Sequence, residues 1–177
     1  MSRVQILAGF VAMTMVVSIV VQKGASAGEP EVVNAGAIEA ALMPTSTKRG
    51  IAIETPNAPP ESLTVDLPGV TFEFNSFRLT PLAERQLREV GMALSKPGFR
   101  QSRFLIAGHT DGVGSSDYNQ ALSEKRARTA VDYLQNNFDL SGVELSAVGW
   151  GKSRLLYDLA PEAAAQRRVE IVNLGVR

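Results

Sequence analysis

The chain has 177 residues, 45% of them hydrophobic, with 18 basic and 18 acidic side chains and a formal net charge of zero. That composition suits one globular domain plus extra segments and lacks the basic excess of a nucleic-acid protein. The absence of cysteine excludes disulfides, thiolate metal sites, a cysteine nucleophile and a lipid-modified N-terminal cysteine. At the N-terminus Arg3 precedes an apolar run from Ile6 to Val21, and Ala25-Ser26-Ala27 follows. A basic start, an apolar stretch and small residues before a cut describe a secretory signal peptide over residues 1–27, cleaved after Ala27. The competing expectation is an uncleaved inner-membrane anchor through residues 4–21. The apolar run is somewhat shorter than the ~20 residues a span needs.

Residues 28–68 read as a linker or a poorly structured N-terminal extension, since they hold six of the nine prolines: Pro30, Pro44, Pro56, Pro59, Pro60 and Pro68. "GAIEAALM" (36–43) allows one short helix, whereas "TPNAPPES" cannot be helical, because proline removes donors and fixes φ. A flexible chain of this length spans about 35 Å. These residues also lack the repeated alternating strands of a membrane barrel.

A domain is expected over 69–177. "VTFEFN" places Val70, Phe72 and Phe74 on one side of a strand. Thr80-Pro81 has the form of an N-cap followed by proline in the first turn. Ala83, Leu87, Val90 and Leu94 then make the apolar stripe of a helix that Pro97-Gly98 ends. "RFLIAG" (103–108) is nearly continuously apolar, as a central strand is. A second helix follows, with Asp117 or Asn119 as its expected N-cap. "ELSAVG" (144–149) and "RRVEIVNL" (167–174) complete the set. The order β-α-β-α-β-β predicts a mixed α/β (α+β) domain with two helices packed on a four-stranded mixed sheet.

The second helix carries an anomaly. At 100° per residue, Leu122, Tyr133, Ala130, Leu134, Ala127 and Val131 share one half-turn. Arg126 falls inside that half-turn, about 40° from Leu122, while Lys125 and Arg128 point away. Asp111 lies near the C-terminal end of "RFLIAG", the end where α/β sheets tend to bind ligands. Together Asp111 and Arg126 could grip a zwitterion, the arginine on a carboxylate and the acid on an ammonium. Alternatively they pair with each other, or Arg126 snorkels along its own stem.

Catalytic chemistries find little support. A lone His109 with one nearby acid is too few ligands for a metal site. The nucleophile elbow G-x-S-x-G is absent, "GVGSS" is too short for a phosphate loop with its lysine, and no carboxylate pair for glycan cleavage stands out. No cofactor or metal is expected.

"GHTDGVGSSDYNQALSEKRA", with "QRRVEIVNL" downstream and "VTFEFNSFRLT" upstream, resembles the OmpA-like domain, a peptidoglycan-binding module of Gram-negative envelope proteins. The likeness covers about residues 65–177. Every fixed position of its pattern T-D-x-x-G-x(3)-Y-N-x-x-L-S-x-x-R-A is met. The resemblance implies that Asp111 and Arg126 hold diaminopimelate of the peptidoglycan stem peptide, with Asn75, Asn119 and Thr110 in supporting positions. It further implies a non-catalytic periplasmic protein that links an envelope component to the cell wall, associated with the outer membrane or an envelope protein partner. A structural interaction domain and a cell-wall hydrolase are the alternatives. The chain departs from the family pattern at three places: Asn75 stands where Asp is common, Gln166 where Asn is common, and Lys152 and Leu155 in a loop that usually carries an acid and a proline. No acid occurs in residues 1–27, which argues against the proton-carrying role of flagellar stator relatives.

Overall fold

The computed structural model describes residues 32–43, 63–73 and 75–176. The signal-peptide expectation for residues 1–27 and the placement of Phe74 lie outside them. Helix α1 spans Ala35–Leu42, strand β1 Leu63–Leu67, α2 Pro81–Leu94, β2 Ser102–His109, α3 Ser116–Asn137, β3 Glu144–Gly151 and β4 Val169–Val176. The four strands form one mixed sheet in the order β1-β4-β2-β3. β4 runs antiparallel to both its neighbours, and β2 and β3 are parallel. β2, the most apolar run, is indeed interior. Three helices rather than two pack on this sheet, around a core that includes Leu87, Leu94, Phe104, Ile106, Leu134 and Ile171.

Helix α2 forms for the expected reasons. The Thr80 hydroxyl accepts from Ala83 N at 3.2 Å, Pro81 occupies the first turn, and Ala83, Leu87, Val90 and Leu94 are all buried. Helix α3 starts earlier than Asp117: Ser115 is its N-cap and accepts from Tyr118 N. The short loop after Asp111 brings the serine hydroxyl to the helix end before either expected cap is reached.

The first strand is a clear correction. It is not "VTFEFN" but "LTVDL" at 63–67, inside the stretch read as linker. Its central pair Val65–Ile171 is flanked by Leu63–Asn173 and Leu67–Val169. With that sheet edge filled, "VTFE" bends into a loop. Phe72 bridges Leu79, Glu73 N donates to Arg78 O at 3.0 Å, and Asn75 has φ 51°.

The predicted short helix is also part of the folded unit. Asn34 caps α1 by accepting from Ala37 N at 2.9 Å. The side chain of Gln86, fully buried, accepts from Val33 N at 2.7 Å and donates to Val33 O at 2.9 Å. Asn173 holds the other end through Leu42 O at 2.8 Å. Ile38 and Leu42 are fully buried. Among the described residues no helix is long and apolar enough to cross a membrane.

Candidate functional site

Close packing of α3 on the sheet sets the site. A Cβ at Gly108 of β2 would lie 2.3 Å from Ser123 O, and one at Gly149 of β3 would lie 2.5 Å from Glu124 N. Only glycine lets the helix backbone approach the two strands this closely. The Ser123 hydroxyl then accepts from Gly151 N at 2.9 Å and donates to Gln120 O at 2.9 Å. This seam brings the first turns of α3 over the C-terminal end of β2.

A cavity of about 790 Å³ opens there, lined among others by Asn75, Thr110, Asp111, Asn119, Arg126 and Arg167. The structure therefore gathers all five residues singled out in the sequence. Thr110 is buried, its amide donating to Gly151 O at 2.9 Å and its hydroxyl to Asp111 O at 3.0 Å. Asn119 is buried and donates to Val113 O at 2.7 Å, which shapes the loop carrying Asp111. The Asn75 side chain accepts from the Tyr118 hydroxyl, tying the 70–80 loop to α3.

Arg126 does face inward: it is 8% exposed. Its Nε donates to Ser76 O at 2.9 Å, and its guanidinium stacks 5.0 Å from the centre of the Phe72 ring. Burial pushes its pKa below the ordinary arginine value; the neighbouring Arg167 adds to that, and Tyr118 and Asp111 oppose it. It stays a cation at any working pH. It does not pair with Asp111. The partner of Asp111 is Arg167, whose Nη1 lies 2.8 Å from Oδ2, while the other carboxylate oxygen accepts from Val113 N at 3.2 Å. Among the described residues neither terminal nitrogen of Arg126 has a hydrogen-bond partner in the protein.

His109 is fully buried rather than partly so. Its Nε2 meets Glu170 Oε2 at 3.0 Å, an arrangement that holds a strand pair rather than a reacting atom. Burial pushes the Glu170 carboxyl up, but the His109 hydrogen bond and charge, with Arg168 and Arg154, outweigh that and hold it below the usual range. No group of three or more potential metal ligands occurs among the described residues.

Sequence reasoning missed Arg167, Phe72 as a stacking surface and the Ser76 carbonyl. One clue to Arg167 was available. Adjacent arginines entering a strand point to opposite sides, so only one of Arg167 and Arg168 could join the sheet-edge pair with Asp66. That one is Arg168, at 2.9 Å, which leaves Arg167 for the cavity.

The sequence profile of the OmpA family matches residues 71–168. Outer membrane porin F of Pseudomonas aeruginosa is 46% identical over 67 residues, 37% of this chain and 19% of that protein. Outer membrane protein A of Salmonella typhi is 35% identical over 119 residues, 61% of this chain and 34% of that protein. The chain thus spans only a fifth to a third of these curated relatives. The crystal structure of a MotB-like protein from Desulfovibrio vulgaris superposes with a TM-score of 0.50 at 22% identity, over 64% of this chain and 73% of that one. That likeness concerns the fold alone.

Proposed function

The chain belongs to the OmpA family, and from that premise we propose that it binds peptidoglycan without catalysis, holding diaminopimelate of the stem peptide in the cavity between α3 and the C-terminal end of β2. The observation that carries this reading is the state of Arg126. A guanidinium buried against Phe72, oriented by Ser76 O and paired with no carboxylate among the described residues, is costly to the fold unless an anion comes to it. A two-pronged bond from a ligand carboxylate supplies that anion. Asp111, which lines the same cavity, takes the ligand ammonium, while Asn75, Asn119 and Thr110 fix the two loops between which the ligand lies.

In this reading the protein works in the periplasm as a link between the cell wall and another envelope component. Residues 1–27 direct secretion, and 69–177 carry the binding domain with β1 and α1 packed on it. Co-sedimentation with purified sacculi tests the proposal. Wild type should sediment, and Asp111→Ala and Arg126→Leu should stay in the supernatant. Sedimentation of both variants at the wild-type level would overturn it.

A further inference from the structure

The bond from Asp111 to Gly112 is chemically unlike every other in the chain. No other aspartate or asparagine here is followed by glycine. Glycine has no Cβ, so the amide nitrogen after Asp111 is unhindered. That nitrogen can attack the side-chain carbon of Asp111 when the carboxyl carries a proton. A bond forms from Gly112 N to Asp111 Cγ, the carboxyl hydroxyl leaves as water with the amide proton, and a cyclic succinimide results. Water then opens the ring. Attack at the side-chain carbonyl restores aspartate, and attack at the backbone carbonyl gives isoaspartate, in which the main chain runs through the side chain.

The structure turns Asp111 toward this reaction and restrains it at the same time. Oδ1 accepts from Val113 N at 3.2 Å, so the carboxylate is folded forward along the chain, over the Gly112 peptide. The side chain is 18% exposed, which admits the water that opens the ring. The restraints come from the connection between β3 and β4. Arg167 Nη1 holds Oδ2 at 2.8 Å, and Gly112 N donates to Pro161 O at 2.7 Å. Lys152 Nζ donates to Gly114 O at 2.7 Å and pins the same loop. While these contacts last, both carboxyl oxygens are engaged and the Gly112 amide is committed to Pro161. The same packing demands the glycine. A Cβ at position 112 would lie 2.9 Å from Pro161 Cβ and 3.4 Å from Pro161 O, so a larger residue pushes away the segment that guards the bond.

We propose that Asp111–Gly112 is a site of spontaneous aspartyl isomerisation whose rate is set by the 152–168 connection. Opening of that connection frees the carboxyl and the amide together. Isoaspartate lengthens the loop by one methylene and carries its free carboxylate on the former backbone carbon, displaced from Arg167 and Val113 N. The chemistry is independent of any ligand. Its consequence, loss of wall binding by the converted molecules, rests on the peptidoglycan reading above.

The test is timed incubation of the secreted chain at neutral pH beside a synthetic peptide of residues 106–119, which has the same bond and none of the restraints. Digestion followed by electron-transfer fragmentation distinguishes isoaspartate from aspartate at equal mass, and the succinimide is one water lighter. Isoaspartate at position 111 should accumulate in folded wild type, roughly tenfold or more slowly than in the peptide. Arg167→Met should convert about threefold faster than wild type, the effect of losing one partly exposed ion pair, with a urea midpoint near wild type. No isoaspartate in folded wild type after the peptide has reached its plateau would overturn the site. Conversion at the peptide's rate, or no acceleration in Arg167→Met, would overturn the guarding role of the connection. Converted molecules should stay in the supernatant when the aged sample is sedimented with sacculi. Their sedimentation alongside unconverted chains would remove Asp111 from the wall-binding reading and leave the isomerisation standing.

Discussion

Arg126→Leu separates a binding arginine from a structural one. The substitution removes the hydrogen bond from Nε to Ser76 O, worth about 1.5–3 kcal/mol when the donor is charged and the acceptor is left bare. Ser76 is only half-buried, so water can replace the donor and the loss should be near the lower end. The stack on Phe72 adds about 0.5–1 kcal/mol. On the other side, leucine suits a stripe that runs through Ala127 and Ala130, both fully buried. Each added buried methylene is worth about 0.8 kcal/mol, and the desolvated charge disappears with the guanidinium. These terms nearly cancel, leaving a change within about 1.5 kcal/mol of zero. No charge is stranded, because Asp111 keeps Arg167 at 2.8 Å. With a urea dependence of roughly 1–3 kcal/mol per molar, the midpoint should move by less than about 1 M, while sacculus binding disappears. A loss of about 3–5 kcal/mol, typical of breaking a buried charge pair, would show that Arg126 holds the fold together. A stable variant that still sediments with sacculi would remove Arg126 from the site.

Three further outcomes follow from other parts of the molecule. Gly108→Ala should cost about 1–3 kcal/mol, since overpacking against the Ser123 backbone must push α3 away; a thermal melt equal to wild type would show that the seam is not tight. Glu170→Gln tests the His109 pair through pH. The folded carboxyl is held below its ordinary value of 4.5, so the ionised form contributes stability above that pH and loses it as the pH falls through the folded value. Wild type should therefore be more stable than the variant at pH 7, by about 1 kcal/mol, and the gap should close in acid; a gap in urea midpoints that stays constant from pH 7 to about pH 3 would contradict this. Intact mass of the protein from the envelope fraction should correspond to a chain beginning at Gly28, whereas recovery of only the full-length chain from inner membranes would make residues 4–21 an anchor.

What the sequence revealed follows from how local each cause is. The Thr80-Pro81 cap, the stripe from Ala83 to Leu94 and the apolar run of β2 are decided by neighbours within a few turns, so periodicity finds them. The inward place of Arg126 is equally local, a matter of angle along one helix. β1 is different. It has five residues, stands among Pro59, Pro60 and Pro68, and owes its strand state to β4, where Leu63 meets Asn173. "VTFEFN" has the better strand pattern and loses, because the edge position is already taken. Helix α1, with eight residues, is too short to stand alone and is held by Gln86 and Asn173, polar side chains whose targets no periodicity reveals.

The same distinction explains why one half of the site was legible and the other was not. Arg126 depends on α3 and the 70–80 loop. Asp111 depends on the long connection between β3 and β4. Gly112 N donates to Pro161 O at 2.7 Å, Lys152 Nζ donates to Gly114 O at 2.7 Å, and Arg167 takes the carboxylate itself. That connection is in turn folded around Gln166, fully buried, which accepts from Leu156 N and donates to Leu156 O and Ala160 O. Lys152, Leu155 and Gln166, three of the positions where this chain departs from the family pattern, therefore belong to the element that positions Asp111. The exception is Asn75, which touches Tyr118 on the α3 side. The departures thus fall mainly at the end of the cavity assigned to the ligand ammonium, and variation in ligand preference among such chains should concentrate there, with the Arg126 end held constant by its packing between Phe72 and Ser76.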